Sequence, residues 1–131
     1  MTTKVTVDAH AGWPVRVTRL TPDGGHTPVI VDPNTVQDFF VWDGQDVRVH
    51  EVQPNAKLTF GEKAVGASFN PSSSSIVDRI VALYAEIIDI CAIQRSAVEG
   101  GSAEAGRHWS IAITDAEAAQ MRAVKAATWK D

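Results

Sequence analysis

Near Ile76 the spacing of apolar residues changes from two to between three and four, and this switch limits the fold more than any other feature of the chain. Before it, up to about Val52, β-branched and aromatic residues alternate with polar ones in short runs, the spacing of strands that bury one face. Val5 and Val7 flank Thr6, Val15 and Val17 follow Trp13-Pro14, and residues 29–31, residues 36–42 and the pair Val47 and Val49 complete the series. Turn formers separate the runs: Pro22-Asp23-Gly24-Gly25, Asp32-Pro33-Asn34 and Asp43-Gly44. Asp43-Gly44, between residues 39–42 and Val47-Arg48-Val49, predicts a β-hairpin, because so tight a turn needs positive φ. Four or five short antiparallel strands follow from this spacing. A sheet so small buries little by itself and needs something to pack against.

Residues 53–75 read as a connector, with Gln53-Pro54-Asn55, Gly61, Gly66, then Ser68-Phe69-Asn70-Pro71 and a run of serines. Asn-Pro disfavours helix before it and serines favour capping after it, while Ser75-Ile76-Val77-Asp78 resembles a capping box. A helix is therefore expected from Ser75 until Gly100-Gly101 breaks it. Ile76, Ile80, Leu83, Tyr84, Ile87, Ile88 and Cys91 trace its apolar stripe, and Val77, Val81 and Ile90 widen that stripe beyond what one neighbour covers. A second helix is expected from near Ser102 to Trp129. Its small-residue line is Ala112, Ala116, Ala119, Ala123 and Ala126, with bulk from Trp109, Ile113 and Val124. The predicted class is α+β: an antiparallel β region over residues 1–66 and a helical hairpin over residues 67–131, forming one compact unit. The apolar excess of the hairpin predicts contacts between subunits.

Composition narrows the function. With 12 Lys+Arg against 16 Asp+Glu the formal charge is -4, and the acid excess is spread evenly over both halves. A duplex DNA or RNA binder carries a basic surplus, and an anionic membrane is met by a basic tail; neither is present. The apolar region around residues 76–93 is interrupted by Asp78, Arg79, Glu86 and Asp89, which argues against a membrane span. The chain opens Met1-Thr2-Thr3-Lys4 without an apolar signal core, so a reducing cytoplasm is the expected location. The single Cys91 allows no internal disulfide.

No residue set demands chemistry. Cys91 lies on the apolar stripe, where a thiol is ordinarily a packing group. His10, His26, His50 and His108 are scattered without ligand spacing, so no metal and no cofactor are expected. Asp115/Glu117 and Asp43/Asp46 read as solvated pairs rather than as a general acid and base. Two places suit a ligand. Phe69-Asn70-Pro71-Ser72 leads into a helix start, where backbone N–H groups favour an anion and Phe69 offers a stacking face; a connector anchored by a buried Phe fits the same residues. Arg122, Lys125 and Thr128 lie near one face of the last helix, placed either for a phosphate or to favour the helix C-terminus through its dipole.

Phe69-Asn70-Pro71-Ser72, the helix over residues 76–95 with Ala-Glu-Ile-Ile-Asp at its centre, and the closing Ala123-Val124-Lys125-Ala126-Ala127-Thr128 resemble the helical hairpin shared by phage anti-CBASS and anti-Thoeris sponge proteins. The resemblance covers roughly residues 67–129, and a β-rich half ahead of the hairpin is similar to the anti-Thoeris branch. It implies a non-enzymatic protein of the infected host's cytoplasm that binds cyclic ADP-ribose isomers, and cyclic di- or trinucleotides at a separate interface, and holds them intact. It also implies a homo-oligomer, a dimer or a hexamer built from dimers. A pocket between the sheet and the first hairpin helix would take the ring, with Phe69 stacking on adenine, Asn70 in polar contact, and Trp13 and Arg48 contributed by the sheet. Arg122, Lys125 and Thr128 would serve a phosphate or a cyclic oligonucleotide. Two other readings compete: an enzyme that degrades such a signal, and a phage structural or assembly protein whose hairpin only drives oligomerisation.

Overall fold

The computed structural model of the chain describes residues 1–52, 57–66, 75–98 and 100–131. Among these residues it forms strands β1 (Thr3–Asp8), β2 (Val15–Leu20), β3 (His26–Val31), β4 (Val36–Val41) and β5 (Asp46–Glu51), then helices α1 (Phe60–Ala64), α2 (Ser75–Ala97) and α3 (Ala103–Ala127). The contacts divide the chain into two compact units, Met1–Lys57 and Leu58–Asp131. Antiparallel strands followed by a helical hairpin are the α+β arrangement expected from the change of period.

In the first unit the strands form two sheets, β1 with β4, and β2 between β3 and β5, all antiparallel. Alternation decides which face goes inward: Val15 and Val17 are buried while Arg16 between them is exposed. Val31 from β3 joins them, and Val7 and Phe39 from the other sheet, with Ala9 just after β1, complete one shared core. The β2–β3 hairpin closes through residues 21–25, where Gly24 takes a φ of 102° and Asp23 accepts hydrogen bonds from the Thr21 hydroxyl and the Gly25 N–H.

The hairpin expected at Asp43-Gly44 is not formed. The turn itself is present, with Gly44 at a φ of 76° and the Gln45 N–H donating to the Trp42 carbonyl at 3.0 Å. It carries the chain from one sheet to the other, because β4 pairs with β1 and β5 pairs with β2. A single sheet would leave the Phe39 face uncovered, whereas two sheets bury each other's inner faces.

The second unit is built on α2. Gly101 N–H donates to the Val98 carbonyl at 2.8 Å beyond the end of that helix, and Ser102 caps α3 by accepting from the Ala105 N–H at 3.2 Å. One turn into α3, Arg107 donates to both carboxylate oxygens of Glu104, at 2.6 and 3.1 Å, and this holds the Glu104 carboxyl below its ordinary range.

The face of α2 turned into the hairpin differs from the expected stripe. Val77, Val81, Ala85, Ile88 and Cys91 are buried there with Ile113 of α3, whereas Ile76, Leu83 and Ile87 are exposed. Val77, Val81 and Ala85 frame Ile88 on this face, and the small Ala112 and Ala116 of α3 let the two helices approach closely. From α3, Trp109, Ala112, Ala116 and Val124 pack on this core. Ala119 and Ala126 of the expected alanine line are exposed instead.

The stretch expected to be a connector contains α1, so the helical unit begins at Leu58, ahead of the boundary expected after residue 66. Thr59 and Glu62 form a reciprocal capping box: the Thr59 side chain accepts from the Glu62 N–H, and the Glu62 carboxylate accepts from the Thr59 N–H, each at 3.1 Å. The Gly61 N–H donates to Asp89 Oδ1 of α2 at 2.7 Å, and Val65 enters the helical core. Gly61 is required by close approach, since a Cβ there would lie 2.0 Å from the Ala85 carbonyl oxygen. The Arg95 guanidinium lies over the Phe60 ring, 5.9 Å from its centroid.

Gly61→Ala therefore pushes α1 off α2 and breaks a charge-assisted hydrogen bond, at a cost of about 2 kcal/mol. Gly106→Ala, in α3 with only Val98 Cγ2 near the added carbon at 3.8 Å, stabilises by roughly 0.5–1 kcal/mol. Thermal or urea unfolding of the two variants against the unaltered chain checks both, and the account requires shifts of opposite sign.

Candidate functional site

Anion binding needs cations or N–H groups that the fold leaves accessible, so the expected site residues are considered by what already engages them. Phe69 and Asn70, with Pro71 and Ser72, lie outside the described residues. Trp13 and Arg48 belong to the strand unit, and Arg122, Lys125 and Thr128 to the helical unit.

Trp13 precedes β2 and is partly buried. Its indole Nε1–H is enclosed and has no hydrogen-bond partner among the described residues. A buried donor of this kind costs about 1–3 kcal/mol unless something accepts from it. Arg48 is exposed on β5, directly opposite Thr18 of β2. The same register sets Arg16 opposite His50. Since Val17 and Val31 point into the core, Arg16, Thr18, Arg48 and His50 share the other face of the sheet. In the sequence Arg16 carries no signal and His50 is one of four scattered histidines, because only strand register brings them beside Arg48.

At the far end of the chain the three expected residues gather on the last turns of α3, and two of them serve the helix end itself. Thr128 is the C-cap: its N–H and its hydroxyl both donate to the Val124 carbonyl, at 3.0 and 2.8 Å. The Lys125 ammonium sits over the Trp129 ring at 5.7 Å from the centroid and lies in the last turn, where the helix dipole favours a cation. Arg122 is exposed, and among the described residues no ion pair engages it. A helical spacing of three sets Arg122 and Lys125 near one face of α3.

An open hollow of about 650 Å³ lies at the loop end of the hairpin, lined by Arg95, Ser102, Gly106 and Ser110 among others. None of the expected site residues that the structure describes lines it. The Cys91 thiol is buried in the helical core, as its place in a packing stripe suggests. Among the described residues no cluster of three His, Cys, Asp or Glu groups is placed to hold a metal ion, and no helix is long and apolar enough to cross a membrane.

Exposure separates folding roles from binding roles at this helix end. Arg122→Ala changes stability by less than about 0.5 kcal/mol, because the side chain supports nothing in the fold. Unfolding curves that superimpose on those of the unaltered chain are the expected outcome, so that any loss of ligand binding by this variant reports a contact.

The family described as Acb2/Tad1, hairpin domain, matches residues 62–128. Those bounds run from Glu62 of the α1 capping box to the C-cap of α3, so they span nearly the whole helical unit. No curated protein and no solved structure matches the chain.

Proposed function

The chain belongs to the Acb2/Tad1 hairpin-domain family, and from that premise we propose that it is a phage immune-evasion protein that sequesters cyclic ADP-ribose-type signalling molecules in the cytoplasm of the infected host. The match of the hairpin is the observation that carries the reading. The protein holds the ligand without cleaving it, so that the host's Thoeris effector is not switched on. Cyclic di- and trinucleotides of CBASS systems are the second ligand class. Phe69 stacks on adenine, Asn70, Trp13 and Arg48 make polar or ring contacts, and Arg122 with Lys125 and Thr128 serves phosphate. An acidic chain is suited to this task, since a small ligand needs only a few local cations whereas a polyanion needs an extended field.

The sponge works as a homo-oligomer, a dimer or a hexamer built from dimers, and the exposed face of α2 supports this. Ile76, Ile80, Leu83, Ile87 and Ile90 recur at spacings of four and three, the repeat of a coiled-coil seam. Ile87 and Ile90 are 48% and 52% exposed in the isolated chain. A line of large aliphatic residues left open to water is stable only when covered, and a second copy of the same helix presents the matching line.

Native mass spectra recorded with a mixture of cyclic ADP-ribose isomers and cyclic oligonucleotides test the ligand class. An adduct at a fixed ratio of ligand to subunit is expected, weakened at least tenfold by Phe69→Ala; an oligomer without adduct at concentrations far above micromolar favours a phage assembly protein. Ile87→Glu buries an uncompensated charge at the seam and is expected to lower the mass in solution to that of a smaller species, measured by light scattering. An unchanged mass contradicts the assignment of this face.

A further inference from the structure

The register of the three-stranded sheet places side chains in rows across β3, β2 and β5: Ile30, Arg16 and His50; Pro28, Thr18 and Arg48; His26, Leu20 and Asp46. All nine project from the face opposite to buried Val17 and Val31. Two arginines and two histidines share this face with a single carboxylate, Asp46, which stands in the row farthest from Arg16. In a chain whose formal charge is -4, that is a local reversal of sign. Arg16 is exposed, and among the described residues no ion pair engages it.

Arg16 and Arg48 are diagonal neighbours on adjacent strands, with backbones about 7–8 Å apart. Guanidinium groups on flexible stems can close that distance over two linked phosphates, and each presents a planar fork that matches phosphate oxygens two at a time. His50 beside Arg16 adds a ring N–H donor, while Thr18 and Leu20, 7% and 8% exposed, form the buried floor beneath them.

We propose that the exposed Arg16, Arg48 and His50 of this sheet face, lying over buried Thr18, form a diphosphate-recognition surface and that Arg16 is its principal anchor. The proposal deepens the sponge reading, which it uses only for the larger molecule that carries the diphosphate.

Inorganic pyrophosphate titrated into the ¹⁵N-labelled full chain tests the surface directly. The amides of Arg16, Thr18, Arg48 and His50 are expected to shift together along one saturable curve. Arg16→Ala is expected to weaken that curve at least tenfold, and Arg16→Lys to fall between, because it keeps the charge and loses the fork. Arg107→Ala, which removes an arginine already paired with Glu104 on α3, is expected to titrate like the unaltered chain. Shifts spread evenly over all basic residues, or an Arg16→Ala curve identical to that of the unaltered chain, would overturn the proposal. Pyrophosphate bound here by a chain that takes no cyclic nucleotide leaves this surface standing and removes the sponge reading. Cyclic-nucleotide binding untouched by Arg16→Ala does the reverse.

Discussion

Helix α2 carries more apolar surface than one partner helix can hide, and the helical unit is arranged around that demand. Ile88 is completely enclosed, Val77 and Val81 are buried in the helical core, and the Ala85 carbonyl with the Asp89 carboxylate receives Gly61 of α1. The short helix thus covers a second side of α2, held by a hydrogen bond to a charged acceptor rather than by area alone. The third side, the Ile/Leu line, has nothing within the described chain to cover it. A helix apolar on three sides is either buried in a larger protein or shared between copies.

Much of the fold was legible because the change of period is a direct consequence of geometry. Alternation at Val5/Val7 and Val15/Val17 can bury one face only as a strand, and the recurrence from Val77 to Cys91 can bury one face only as a helix. What pattern could not settle was which of two adequate solutions the chain adopts. Asp43-Gly44 specifies a turn, yet whether the next strand returns alongside β4 depends on burial of Phe39 across the sheets. Likewise α2 offers two apolar lines of similar quality, and the choice between them depends on how closely Ala112 and Ala116 let α3 approach. In the sequence α1 reads as linker because five residues are too few for a periodic signal, although Thr59 and Glu62 spell a capping box.

The candidate site was legible only in parts, for a related reason. Arg122, Lys125 and Thr128 are close in sequence, so helical spacing alone joins them. Arg48 gains its meaning from Arg16 and His50, which are far from each other in the chain and meet only through the register of β2 with β5. Trp13 stands out in the structure by its enclosed indole N–H rather than by ring area. The same separation accounts for the charge. A chain that is acidic overall sets Arg16 and Arg48 on one sheet face and Arg122 and Lys125 at one helix end, local cations of the kind a small anion needs and a polyanion does not find sufficient.

The central claim is retention without chemistry, and it is tested most directly by recovering the ligand. A cyclic ADP-ribose isomer is incubated with the protein until none remains free, the complex is heat-denatured, and the released material is analysed by chromatography with mass detection. The account predicts quantitative return of a molecule with unchanged mass and retention time, able to switch on the host effector again. Release of a linear or otherwise altered product would contradict it and make the protein an enzyme that destroys the signal.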